Sequence, residues 1–270
     1  MIHLLLIVAL LAASAFATEP LRPALPPQTT VGVGAIAELR DDVYSGDIGW
    51  NVEIATCDCF SLYTDLSYRL VSYEWDTMWH DQRHEAVNLQ VNGMNESFVG
   101  VKFFPMRWLG VVANWRFQPG EGSRVERFNR LGVEPTILYW FSRGLLLGYS
   151  MQYYTFVENE NFQPGDEIGL KASFVWNLLW DYAKRTGWRI GYAFLYRWRV
   201  EESKNFNMLK AYQKMDDAYR GFRMRGDVSY YFGWFPFPLG MGMAYEMNRG
   251  EMFGFETGHR VELYFKALMP

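Results

Sequence analysis

Thirteen residues, Trp188 to Val200, constrain this chain more than any other stretch. They read W-R-I-G-Y-A-F-L-Y-R-W-R-V. One parity carries Trp188, Ile190, Tyr192, Phe194, Tyr196, Trp198 and Val200; the other carries Arg189, Gly191, Ala193, Leu195, Arg197 and Arg199. A period of two is a strand with two different faces. A tryptophan stands near each end of the apolar face, ten residues apart. At about 3.3 Å per residue and roughly 40° of tilt, the two are about 25 Å apart along a membrane normal. That distance matches the apolar layer of a bilayer with an aromatic at each interface. The arginines point the other way, into a space that is wet or salt-bridged.

The start of the chain agrees with export. Residues 1–17, MIHLLLIVALLAASAFA, have an apolar core and end in Ala15-Phe16-Ala17, an A-x-A cleavage site, so they read as a signal peptide. No later stretch approaches 18 uninterrupted apolar residues, the length a membrane helix needs. In lipid only helices and closed barrels satisfy their own backbone. The expected fold is therefore all-β: a single antiparallel transmembrane barrel over residues 31–270, following a Pro-rich periplasmic tail over 18–30. The four prolines of that tail make it an extended spacer that cannot join a central strand.

Alternation places strands at about Val31–Arg40, Ile48–Thr56, Phe60–Tyr73, Leu109–Phe117, Glu126–Phe141, Leu145–Phe156, Glu167–Leu179, Trp188–Val200, Tyr219–Phe232, Leu239–Asn248 and Phe255–Ala267. Residues 85–104 hold two alternating runs around Gly93-Met94-Asn95. A hairpin there gives thirteen strands; one long strand with a bulge gives twelve and leaves both chain ends on one side. Twelve is the expected count, with ten or fourteen as alternatives, because a bulge costs one extra residue in the ladder and single-chain bacterial barrels have even numbers. The connections then alternate between short ones, such as Cys57–Cys59 and Ser142–Gly144, and mostly longer polar ones, such as Glu74–His84 and Glu201–Ala218. The longest carries Met208, Tyr212, Met215 and Tyr219 at helical spacing, compatible with a short helix or a plain surface loop.

These features resemble the bacterial outer-membrane β-barrel class over residues 1–267: signal peptide, two-faced strands, girdle aromatics and unequal connections. The likeness is architectural and points to no specific family. It implies an outer-membrane location, with short turns facing the periplasm. The chain departs from the class at its end, where Tyr264 and Phe265 are followed by five more residues rather than closing it.

Parity directs Lys102, Arg116, Arg130, Lys171, Arg189, Arg197, Arg199, Arg223 and Arg225 inward, with Glu53, Asp65, Glu134, Asp227, Glu246 and Glu262. A charge facing lipid at mid-bilayer costs about 2–4 kcal/mol, so inward placement is required. The expected pore lining is the nine bases with Glu134, Asp227 and Glu246. Arg189, Arg197 and Arg199 on one strand and Arg223 and Arg225 on the next are expected to form an electropositive wall that guides anions. The bland alternative has the arginines paired with acids, filling the lumen. The expected girdle is Trp50, Trp115, Tyr139, Trp176, Trp188, Trp198 and Tyr230.

Other chemistry is weakly supported. His259 is the only strand histidine, points outward, and has no serine of matching parity; Ser229 points inward. His80 and His84 with Asp76, Asp81 and Glu85 have metal-ligating side chains but fall in a polar loop. Cys57-Asp58-Cys59 lacks four-ligand zinc spacing; the favoured reading is two small residues in a tight turn, with a strained local disulfide left open. A net charge of −4 argues against nucleic acid. The expected function is a porin-like channel for small solutes, weakly anion-preferring. The alternative is a non-conducting barrel with a structural, adhesive or partner-binding role through its outer loops. Expected partners are outer-membrane lipid and small anionic or polar solutes, with no cofactor and no metal; the residues select no oligomeric state. The mature protein is expected in the outer-membrane fraction of cells, and recovery in the soluble periplasm would contradict the Trp188–Trp198 argument.

Overall fold

A computed structural model describes residues 21–40, 43–75, 86–88, 93–94, 97–117, 129–157, 162–163, 165–200, 204–205, 220–233, 236–249 and 257–269. Twelve antiparallel strands form one sheet closed on itself. They are β1 Thr30–Arg40, β2 Val43–Cys57, β3 Phe60–Trp75, β4 Ser97–Met106, β5 Leu109–Phe117 and β6 Arg130–Trp140. β7 Leu145–Phe156, β8 Glu167–Asp181, β9 Thr186–Arg199, β10 Arg220–Phe232, β11 Leu239–Arg249 and β12 Thr257–Leu268 follow. Each pairs with its neighbours in sequence, and β1 pairs with β12 from Thr30↔Leu268 to Arg40↔Gly258. That last ladder removes the two edges an open sheet would present.

The alternation seen in the sequence is the alternation of burial. Along β6 it runs buried, exposed, buried from Arg130 to Tyr139. The buried face looks into the barrel and includes Arg130, Glu134 and Thr136; the exposed face carries Leu131, Val133, Ile137 and Tyr139. The core of the molecule is thus the interior of the barrel, and much of it is polar.

Residues 85–104 make one pass, as expected, but with more irregularity. β4 pairs with β3 at Asp65↔Phe98. Gly93-Met94 and Ala86–Asn88 continue along β3 in the same direction, at Tyr68↔Met94 and Tyr73↔Asn88. There is no hairpin at Gly93-Met94. Three steps on β3 match four on the other side, then five match six, so two extra residues are absorbed where one was expected.

Several boundaries differ. β2 begins at Val43, paired with Arg40, so the expected connection over Asp41–Asp47 shrinks to two residues. The strand pattern before Ile48 is blurred by Ser45 and Gly46, and the ladder to β1 carries it. The turn between β8 and β9 tightens to 182–185, with a bulge between Leu178 and Asp181. Cys57 and Cys59 are joined across the β2–β3 turn, with Cα atoms 5.2 Å apart, inside the normal range for a disulfide. Phe162-Gln163 and Lys204-Asn205 pair with each other, linking the β7–β8 and β9–β10 connections. The signal peptide, the possible helix over Met208–Tyr219, and His80 and His84 lie outside the described residues.

The largest departure concerns the tail. Residues 21–29 have no strand, as their prolines require, yet they do not hang free. They run inside the barrel from its short-turn end. The Gln28 amide donates to Glu53 Oε1 at 3.2 Å, the Ala24 amide to Ser173 Oγ at 3.1 Å, and the Leu21 amide to Glu246 Oε2 at 3.1 Å. Proline makes this possible: Pro23, Pro26 and Pro27 hold the backbone extended and bring no N–H that would need a partner. The topology predicts that a tag inserted at Ser142–Gly144 is unreactive on intact cells while one inserted in residues 206–218 is reactive. Labelling at both sites would overturn the assignment of sides.

Candidate functional site

The interior of the barrel is where the charged side chains meet. All twelve side chains expected to line it point inward. Arg116, Arg130, Glu134, Arg197, Arg223, Arg225 and Glu246 are buried. Lys102, Lys171, Arg189, Arg199 and Asp227 are partly buried and bonded to inward partners. The parity argument works because the strands keep their register through these positions.

The charges are organised in groups along the barrel. Near the short-turn end, Glu53 takes Lys102 at 2.7 Å and the Ser61 hydroxyl at 2.7 Å. At mid-height Glu134 pairs with Lys171 and accepts from Ser150 Oγ at 2.6 Å and Gln152 Nε2 at 2.7 Å. On β10–β12, Arg223 pairs with Glu246, and Arg225 lies 2.8 Å from Glu262 and 3.7 Å from Glu246. On β2–β3, Arg69 pairs with Asp47 at 3.1 Å. Buried charges are tolerated because they are paired and hydrogen-bonded.

At the long-connection end several bases come together. Glu167 lies 3.2 Å from Arg197 and 3.9 Å from Arg199, and Arg130 and Arg116 act on the same carboxylate electrostatically. Arg116 and Arg130 are direct cross-strand partners. The Tyr154 ring has Arg130 at 4.0 Å and Arg197 at 4.7 Å from its centroid. Such cation–π contact helps two guanidinium groups approach one another. Four guanidinium groups gather at the mouth, two of them on Glu167.

The expected electropositive wall is therefore redrawn. Arg223 and Arg225 belong to ion pairs with Glu246 and Glu262. Arg189 lies eight residues from Arg197, about 26 Å along the strand, where it bonds Asn177 and faces the Trp180 and Tyr231 rings. Arg197 and Arg199 instead join Arg116 and Arg130. Parity tells which way a side chain points; it does not tell which acid on a neighbouring strand stands at the same height.

Several interior residues were missed. Glu167 has the parity of Lys171 but sits at a strand start. Arg260 has the parity opposite to His259, and Arg69 that of Asp65, so both were within reach of the same argument; they are buried. Arg22 could not be found from a strand pattern. It enters with the N-terminal segment and pairs with Asp65 at 2.7 Å.

One wall of the interior is apolar. Phe104, Leu138, Leu146 and Val175 form a buried cluster beside Val112, and Ala24 and Leu25 pack on it. Leu21 packs on Ala193 and Leu195. Between the walls and the segment remains a cavity of about 170 Å³, bordered by residues including Arg22, Lys102, Arg197 and Glu262.

On the outer surface, Trp115, Tyr139, Trp176, Trp188 and Tyr230 are exposed, and Trp50 and Trp198 are partly covered. Trp188 and Tyr230 are cross-strand partners with ring centroids 5.1 Å apart. His259 is outside, with Nδ1 at 2.7 Å from the Tyr245 hydroxyl, whereas Ser229 is buried inside. The two therefore do not make a nucleophile–base pair.

No protein-family profile matches the chain, and no curated protein matches it. Solved structures do. The COG4313 outer membrane channel from Pseudomonas putida F1 is similar with a TM-score of 0.61 at 12% identity, over 94% of this chain and 100% of that one. The NanC porin is similar with a TM-score of 0.56 at 7% identity, over 89% and 100%. The fold is that of outer-membrane channels. LpxR from Salmonella typhimurium also shares it, with a TM-score of 0.52 at 9% identity, over 89% and 100%. At these identities the likeness is one of architecture alone.

The ion pairs predict a stability effect. Glu246→Gln keeps the shape but removes the carboxylate that pairs with Arg223, while Arg225 keeps Glu262 at 2.8 Å, at a cost of about 3 kcal/mol. A lower midpoint in urea unfolding of the refolded barrel is expected, and an unchanged midpoint would show that lumenal water screens the pair.

Proposed function

We propose that this barrel is an outer-membrane channel for small polar solutes with a weak preference for anions. The observation that carries the reading is the gathering of four inward bases, Arg116, Arg130, Arg197 and Arg199, at one mouth, where Arg197 and Arg199 meet Glu167 at 3.2 and 3.9 Å. Low-dielectric walls focus such a field and raise the local concentration of anions. Rings and tracks of basic side chains give pores anion preference in this way. The shared architecture with outer-membrane channels supports the reading at the level of fold.

A second reading is a non-conducting barrel that acts through its outer connections. It is favoured by the ion pairs that cross the interior and by residues 21–28, which occupy part of it. Conductance separates the two. In a planar bilayer under a salt gradient, the refolded mature protein is expected to show small discrete openings with an anion-shifted reversal potential. Arg116→Gln combined with Arg199→Gln is expected to move that potential toward zero. Cation-preferring openings would discard the arginine mouth, and a silent but folded barrel would favour the second reading.

A further inference from the structure

Residues 21–28, Leu-Arg-Pro-Ala-Leu-Pro-Pro-Gln, are held as a bound peptide is held. The backbone is extended and makes no ladder with the wall. It is anchored at three heights: the Leu21 amide on Glu246, the Ala24 amide on Ser173, and the Gln28 amide on Glu53. The one basic side chain, Arg22, meets Asp65 at 2.7 Å. The side chains that follow, Ala24 and Leu25, lie on the apolar wall of Phe104, Leu138, Leu146 and Val175.

The wall is shaped for this occupant. Gly148 faces the segment, and a Cβ there would stand 2.9 Å from the Ala24 Cβ and 2.7 Å from Ser173 Oγ, the atom that accepts the Ala24 amide. A side chain at 148 would push the segment off the wall. The apolar cluster fits the same view. A barrel filled with water or ion pairs has no use for a phenylalanine, two leucines and a valine on its inner face, whereas a segment with small and apolar side chains covers them.

From this match we infer that the interior of the barrel is a binding site for an extended oligopeptide, and that residues 21–28 occupy it in cis as a displaceable plug. The ligand class is a short chain with a basic residue near its N-terminus, followed by proline and small apolar residues. It lies with its N-terminus toward Glu246 and its C-terminus toward Glu53. In a free peptide the group at Glu246 is an α-ammonium, which that carboxylate accepts more strongly than an amide. An intramolecular occupant has a high effective concentration, so a free peptide competes only when the segment is removed or weakened. The inference goes beyond the channel reading, and binding can be measured whether or not ions pass.

The test uses the refolded barrel in detergent and a fluorescent peptide of sequence LRPALPPQ. Three proteins are compared: the mature chain, a deletion of Thr18–Gln28 that keeps Thr29, whose hydroxyl accepts the Ala55 amide at 3.2 Å and whose carbonyl accepts the Met269 amide at 3.0 Å, and the full-length Arg22→Glu variant, in which the Asp65 contact becomes repulsive. Folding is checked by circular dichroism and heat-modifiable migration. Saturable binding is expected to the deletion and to Arg22→Glu, at least tenfold tighter than to the mature chain. A peptide with its arginine changed to glutamate is expected to bind the deletion at least tenfold more weakly. Absence of saturable binding to the folded deletion would overturn the inference. So would equal binding of both peptides, or equal binding to the mature chain, which would place the peptide on the outer surface. If the deletion does not fold, Arg22→Glu decides: unchanged protection of the segment from protease together with no peptide binding would make residues 21–28 a fixed part of the wall.

Discussion

Every feature of this molecule depends on the ladder between β1 and β12. In an apolar layer each unpaired N–H or C=O costs several kcal/mol, and an open sheet has two rows of them. The eleven register pairs from Thr30↔Leu268 to Arg40↔Gly258 remove both rows. Closure then divides the side chains into two populations with different solvents. Leu131, Val133 and Ile137 lie on the outer face, while Arg130, Glu134 and Thr136 on the same strand are buried in the interior.

That division explains why the interior carries so much charge. A lumen this narrow cannot give every guanidinium its own hydration, so neighbours supply the counter-charge. Glu53, Glu134, Glu246 and Glu262 each hold a base on an adjacent strand or one strand further. Glu167 holds Arg197 and Arg199 and feels Arg116 and Arg130, with Tyr154 lying between two of them. Bases and acids are paired along the barrel, and four of the bases gather at one mouth. The apolar wall of β4 to β9 breaks the pattern, and the N-terminal segment lies there.

Much of the fold was legible because a strand in lipid has a strict rule. Trp188–Val200 reads as one because each residue on one face must suit hydrocarbon, so the alternation has no gaps. Val43–Gly46 was not legible: near the end of a strand the lipid rule relaxes, and pairing with Leu39 and Arg40 is what keeps the ladder going. Residues 85–104 were legible as a single pass, but the second extra residue was not, since a bulge leaves the alternation intact on either side of itself. The direction of Lys102, Lys171 and Arg225 was legible; the partners of Arg223 and Arg225 were not, because pairing depends on the height of neighbouring strands.

The sequence alone determined that the chain is a barrel of two-faced strands, which face of each strand is polar, and that the proline-rich residues before Thr30 cannot be a strand. These are local matters of period and of proline chemistry. The tertiary structure decided which charges pair, where Arg116, Arg130, Arg197 and Arg199 come together, and that the proline-rich segment lies inside. Those outcomes depend on distances between residues far apart in the chain, such as Leu21 and Glu246 or Arg22 and Asp65. They are set only when the sheet closes and gives each strand its height.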